Sequence, residues 1–155
     1  MGSVEENKKI VMRWFELGLK ADPAVADLLS PDCTFFVSGD MPFSGWKDIQ
    51  GFFEMVSDLQ FDPRQYVYRI GRIIGEGDEV WVEATGDVPL KNGNRYNNNY
   101  VFLFTIRDGK IVKWCEIADT LHSYRVGSNS DVTGPALDPR PQLVSNPTVV
   151  LGPVA

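Results

Sequence analysis

The sequence predicts an α+β fold: a curved, mostly antiparallel sheet with helices packed on its concave face. Apolar residues recur at helical spacing as far as Leu59, and past Asp62-Pro63 the spacing turns alternating and stays so through four β segments. Helices first and strands afterwards, without the β-α-β alternation of a doubly wound parallel sheet, segregate the two kinds of element into layers. The clearest local signal is a hairpin. Residues 96–107 and 110–118 are β-rich runs joined by Asp108-Gly109, a dipeptide suited to a two-residue turn with positive φ.

Taken in order, Ser3 and Glu6 form a capping box for a helix ending near Lys20, with Val4, Val11, Trp14, Phe15 and Gly18 on one side. Asp22-Pro23 starts a second, short helix through Leu29, which Ser30-Pro31 stops. A short strand follows over residues 33–40. Ser44 is placed to cap a third helix, in which Trp46, Ile49, Phe52, Phe53, Val56 and Leu59 repeat at helical spacing. The β segments are then expected at 65–74, 79–88 and the two arms of the hairpin, with Gly75, Gly77, Asp78, Pro89, Asn92 and Gly93 punctuating the connections. Residues 1–125 read as one domain. Residues 126–155 carry five of the ten prolines and no useful period, and read as a tail, either loose or lying in a groove through Val144, Val149, Val150 and Leu151.

Composition narrows the function classes. A formal net charge of −6 over 155 residues, without a basic run, argues against nucleic acid or an acidic membrane surface as partner. No apolar run approaches the roughly 20 residues of a membrane helix. Cys33 and Cys115 lack CxxC spacing and the first residues lack an apolar signal core, so a reduced, cytoplasmic setting is expected. One histidine and two separated cysteines make no metal set, and neither a phosphate loop nor a nucleophile elbow occurs.

Polar chemistry gathers at one end of the hairpin: Tyr96, Asn98, Tyr100, Glu116, Asp119 and His122. Period two puts Tyr96, Asn98, Tyr100, Phe102, Phe104 and Ile106 on one face. Phenol and amide groups so placed suit a carbonyl or a developing enolate, or equally a subunit interface. Simple alternation sets Glu116 on the opposite face from Asp119; a bulge near Ala118 would change that parity, and without one Glu116 is a solvated or interface carboxylate. His122 stands close enough in sequence to orient Asp119 or share its proton, the plainer reading being an exposed histidine at a strand end. Trp14, Trp46 and Phe53 belong to the apolar set that could wall a pocket as well as a core.

The order of elements, with YNNNY at 96–100, F-x-x-R-D-G-K-I-V in the hairpin, E-x-x-D-T at 116–120 and GWKDIQGFF at 45–53, resembles the SnoaL-like polyketide cyclases. Their wider superfamily includes ketosteroid isomerase, limonene epoxide hydrolase, scytalone dehydratase and nuclear transport factor two. The resemblance covers about residues 4–122. It implies a cone-shaped α+β barrel with a deep, mostly apolar pocket that works without metal or organic cofactor; a homodimer that binds a hydrophobic small molecule is expected. It also implies that Asp119 is the general acid/base, its carboxyl raised towards neutrality by aromatic surroundings. A plainer reading is that Asp119-Thr120 caps or ends the strand.

The reaction so implied is a cyclisation or isomerisation in specialised, polyketide-like metabolism, with Asp119 and His122 catalytic and Tyr96, Asn98, Tyr100, Trp14, Trp46, Phe53 and Glu116 binding substrate. A limonene-epoxide-hydrolase-like site would need an Arg near a second Asp. The comparable segment, EATGD at 83–87, has none, which leaves Arg69 to reach in from the adjacent strand. The remaining alternative is a ligand-binding or dimerisation module without turnover.

Overall fold

The computed structural model describes residues 2–57, 60–128 and 140–153. Helix α1 (Val4–Leu19) forms with the capping box closed in both directions: the Glu6 amide donates to Ser3 Oγ and the Ser3 amide to the Glu6 carboxylate. Its inner face buries Val11 and Phe15, and Phe15 meets Phe102 edge-on at 5.1 Å. Asp22 caps the next segment, Pro23–Leu28, which is a 3-10 helix and not the expected α-helix. Ser30-Pro31 falls inside strand β1 (Leu29–Val37), which lies earlier than expected at both ends.

Ser44 does not start a helix. Its hydroxyl accepts from the Met41 amide and donates to the Ser38 carbonyl, closing a turn, and strand β2 (Gly45–Asp48) follows, antiparallel to β1. Helix α2 (Ile49–Ser57) begins only there, with Asp48 Oδ1 accepting from the Gly51 amide. This shift corrects two candidate pocket residues. Trp46 sits on β2, packs on Phe36 and is 60% exposed, because Phe36 is the outward neighbour of the buried Phe35. Phe53 is 41% exposed, since Phe52 takes the inward position against Phe35 and Trp114. The expected continuation of this helix to Leu59 lies outside the described residues.

The remaining strands are β3 (Val67–Glu76), β4 (Glu79–Pro89), β5 (Arg95–Tyr96), β6 (Asn99–Arg107), β7 (Lys110–Ala118) and β8 (Val149–Leu151). The sheet runs β2-β1-β7-β6-β4-β3-β8, with β5 beside β4, and among the described strands only β1 and β7 pair in parallel. It curves without closing and packs α1 and α2 against its concave face, the α+β cone that the order of elements predicts. No described helix is long and apolar enough to cross a membrane.

The hairpin turn is as expected, with positive φ at Asp108 and Gly109. Just beyond it the register slips: Ile106 pairs with Ile111 but Thr105 with Lys113, leaving Val112 as an extra residue on β7. From there Trp114, Glu116 and Ala118 stand opposite the inward-facing Phe104, Phe102 and Tyr100. Without the bulge the same three would face outward.

Two features after β7 have no counterpart in the strand pattern. Helix α3 (Thr120–Ser128) is capped by Asp119, whose Oδ1 accepts from the His122 amide at 3.1 Å. Residues 140–151 then cross the sheet's outer face. The Asn99 side chain donates to the Pro141 carbonyl and accepts from the Leu143 amide, the Val144 amide donates to Thr85 Oγ1, and Thr148 bonds to the Ile70 and Gly71 carbonyls. The segment ends as β8 along β3. Of the expected tail, residues 129–139 lie outside the described residues.

Candidate active site

The concave side of the sheet is aromatic throughout, and one acidic side chain reaches into it. Phe15, Phe102, Phe104, Trp14 and Trp114 form a contiguous ring cluster, with Phe52 closing against Trp114 at 5.0 Å. Towards the wider end the lining becomes phenolic: Tyr66 stacks on Tyr68 at 4.5 Å, and the Tyr66 and Tyr100 hydroxyls lie 2.6 Å apart. One proton occupies that short contact. Tyr68 bonds to Tyr66 and Tyr96 to Tyr100, so the pair belongs to a chain of four phenols.

Glu116 projects among these rings from β7, beside Phe102 and opposite Val37 on the parallel strand β1. Desolvation pushes its carboxyl up to about 7. Its side chain is half-buried by surface area, yet no described basic side chain offsets the desolvation. Burial raises all four nearby phenols, and the Glu116 charge raises them further. The side chains on the concave side are therefore apolar and phenolic around one carboxyl raised to about 7.

Asp119 has the opposite character. Partial burial pushes its carboxyl up, but the His122 amide and the Arg140 guanidinium outweigh this and leave it below the ordinary value. Arg140 Nη2 donates to its second oxygen at 3.0 Å. The expectation of a raised Asp119 is corrected accordingly: the side chain is a helix cap paired with a cation outside the cone. Arg69 likewise alternates away from the inward Tyr68 and Ile70, so it does not reach in.

His122, expected at an exposed strand end, is 3% exposed on α3 with its ring parallel to Tyr96 at 6.0 Å. Among the described residues neither ring nitrogen has a hydrogen-bond partner. Burial first, then the Arg140 charge, lowers its pKa to about 4, so it is neutral at pH 7. Asn98 is fully buried and saturated. Its Nδ2 reaches the Tyr96 hydroxyl, the Asp119 carbonyl and Ser123 Oγ, while Oδ1 accepts from the Asn99 and Asp119 amides. It locks the break between β5 and β6 to the start of α3 and has no donor left for a ligand. Tyr96, bonded to Ser123 Oγ at 3.1 Å, connects this knot to the interior.

The structure thus brings together Tyr96, Tyr100, Trp14 and Glu116 of the expected set, and sets apart Asp119, Trp46 and Phe53. Sequence reasoning missed Tyr66 and Tyr68. Alternation along β3 puts Tyr66, Tyr68 and Ile70 on one face, and the adjacent small residues Ala84 and Gly86 were the available signal. A Cβ at Gly86 would lie 2.4 Å from the Tyr66 hydroxyl, so only glycine leaves room for that ring.

Residues 11–114 match a family model described as a SnoaL-like domain. No functionally curated protein matches the chain. Among solved structures, a protein of Jannaschia sp. CCS1 assigned as a SnoaL-like polyketide cyclase is 19% identical, with a TM-score of 0.66, covering 84% of this chain and 97% of its own. TerC, crystallised with polyporic acid, is 21% identical with a TM-score of 0.67, covering 78% and 97%. AclR of Streptomyces galilaeus, assigned as a hydroxylase, is 17% identical with a TM-score of 0.67, covering 81% and 98%. At such identities the likeness is one of fold.

Proposed function

This chain belongs to the SnoaL-like family, and on that premise we propose that it is an isomerase or cyclase acting on an uncharged, oxygen-bearing hydrophobic molecule, with Glu116 as the acid/base group. The observation that carries the reading is the single carboxyl among aromatic rings, raised to about 7 by desolvation alone. Near that value a group is present in both protonation states at neutral pH and can take a proton and return it.

In the proposed reaction the Glu116 carboxylate removes a proton from carbon next to a substrate carbonyl. As negative charge builds on the oxygen, a hydroxyl of the Tyr66–Tyr100 pair turns to donate its proton to it. Returning the Glu116 proton to a different carbon, as the oxygen gives its proton back to the tyrosine, completes an isomerisation; attack of the enol carbon on a carbonyl in the same molecule, with the Glu116 proton passing to the new alkoxide and the enol proton returning to the tyrosine, completes a cyclisation. A second anion is disfavoured beside Glu116 because the described lining offers no cation to pair with it. TerC's crystallisation with polyporic acid, a named small molecule, suits a ligand-binding cone of this kind. Asp119 takes a structural role in this reading.

Native mass spectrometry of the protein incubated with an extract of its source, with Glu116→Gln and Asp119→Asn alongside, tests it. The expected result is a small molecule converted by the wild type and by Asp119→Asn but retained unchanged by Glu116→Gln. Loss of turnover in Asp119→Asn with retention in Glu116→Gln would return the acid/base role to Asp119. The same molecule held unchanged by all three would leave a binding module.

A further inference from the structure

Arg140 is the described residue that ties the C-terminal segment to the polar knot at the wide end of the cone. Its guanidinium makes two contacts in different directions: Nη2 donates to the Asp119 carboxylate at 3.0 Å and Nε to the Asn97 carbonyl at 3.2 Å. The side chain is only 11% exposed, which sets this ion pair apart from the surface pairs elsewhere on the molecule. The segment that carries it is anchored on the outer face by Asn99, Thr85, the Ile70 and Gly71 carbonyls and the β8–β3 pairing. Arg140 is therefore delivered to a fixed place.

The two groups it grips belong to the two segments whose meeting places Tyr96. Asn97 follows Tyr96 directly, and Asp119 caps α3, which supplies Ser123 to the Tyr96 hydroxyl and His122 to its ring face. Asn98 bridges the same segments from the other side, through the Asp119 backbone. Nothing in the family match reaches this clamp's cation, because the match ends at residue 114.

We propose that Arg140 is a positioning residue, supplied by the C-terminal segment, that fixes the Tyr96 phenol in the wall of the candidate site by clamping the β5–β6 break to the α3 cap. This rests on the reading of the tyrosine-lined interior as the site, but not on Glu116 as its acid/base group. A planar guanidinium suits the task, since two of its N–H groups point at two acceptors at once, whereas a lysine ammonium is a single compact charge.

The test needs no substrate. With tyrosines labelled at Cζ, the five resonances of the full chain are assigned by Tyr→Phe substitution, and Tyr124, which is 44% exposed, marks the position of a hydrated phenol. In Arg140→Ala the Tyr96 resonance is expected to move towards that of Tyr124, while Tyr66, Tyr68 and Tyr100 stay in place. Arg140→Lys is expected to leave Tyr96 displaced, and Asp119→Asn, which keeps a capping side chain but not the charge, to displace it in the same direction. An unmoved Tyr96 in Arg140→Ala overturns the proposal. So does a common shift of all four interior tyrosines, which would mean general loosening, or full restoration by lysine. Because the readout is a tyrosine environment, a dispensable Glu116 would sink the acid/base reading and leave this result standing.

Discussion

Replacing Glu116 with glutamine should make the protein more stable at alkaline pH while removing the proposed activity. The folded carboxyl sits at about 7 against an ordinary value of 4.5, and each pH unit between the two corresponds to about 1.4 kcal/mol. The folded state thus holds this proton more tightly than the unfolded chain. Its contribution is fully present below the unfolded value and is lost as pH rises through about 7, amounting to about 3 kcal/mol at most. Glutamine has nearly the same shape and no charge to desolvate. Urea unfolding of both proteins at pH 5 and at pH 8 measures the effect as a difference between differences, which cancels the other titrating groups. A gain of about 1 kcal/mol is expected for Glu116→Gln at pH 5 and of about 3 kcal/mol at pH 8. A stability difference that does not change with pH would refute the reasoning, as would a Glu116 carboxyl resonance titrating in the ordinary carboxylate range.

Gly86→Ala places a methyl group 2.4 Å from the Tyr66 hydroxyl and 2.5 Å from its ring; thermal unfolding should show a loss of about 1–3 kcal/mol, and a variant as stable as the wild type would mean the ring is free to yield. His122, held at about 4, is depressed below its ordinary value, so its contribution is present above about 6.5 and is lost as pH falls through about 4; a ring-proton titration by NMR with its midpoint near 6.5 would contradict this burial. Trp46, Phe36, Cys115, Leu103, Trp81 and Ile74 line up in register across six strands on the outer face, with Trp46, Trp81 and Ile74 at least half exposed. We propose this row as the seat of a second copy of the chain: sedimentation velocity should show a dimer that Trp81→Lys turns into a monomer, and a monomeric wild type would remove the proposal.

Much of the fold was legible because its signals are local. The capping box at Ser3, the change of period after Asp62-Pro63 and Asp108-Gly109 each act within a few residues, and each element they mark is present. Ser44 misled for an instructive reason: a serine ahead of an apolar run satisfies the requirements of a helix cap, but here the Ser38 carbonyl, brought close by the preceding turn, claims its hydroxyl. Helix α3 was hidden because Thr120–Ser128 has no sustained apolar face; it is held by its Asp119 cap and by Asn98, a contact 21 residues away in sequence. The phenolic half of the site depends on Tyr66, which acts only in partnership with Gly86 on one neighbouring strand and Tyr100 on another. Such pairings are set by register, and register between distant strands is not written in any short stretch of sequence.

The placement of the acid group follows from a single residue. Ile111 and Trp114 are both fully buried although three apart on one strand, a spacing that period two forbids and that one extra residue, Val112, permits. In an unbulged hairpin Glu116 would pair with Val101 on the outer face, in water, with an ordinary carboxylate pKa. The bulge turns it inward among the aromatic rings, where the missing solvation raises it. The strand then ends at Ala118, so Asp119 leaves the ladder and meets a helix terminus and a guanidinium, both of which favour its charge. Two carboxylates three residues apart are thereby driven to opposite proton affinities by backbone geometry alone. In the proposed reaction that separation lets one of them exchange protons while the other holds the wall in which it works.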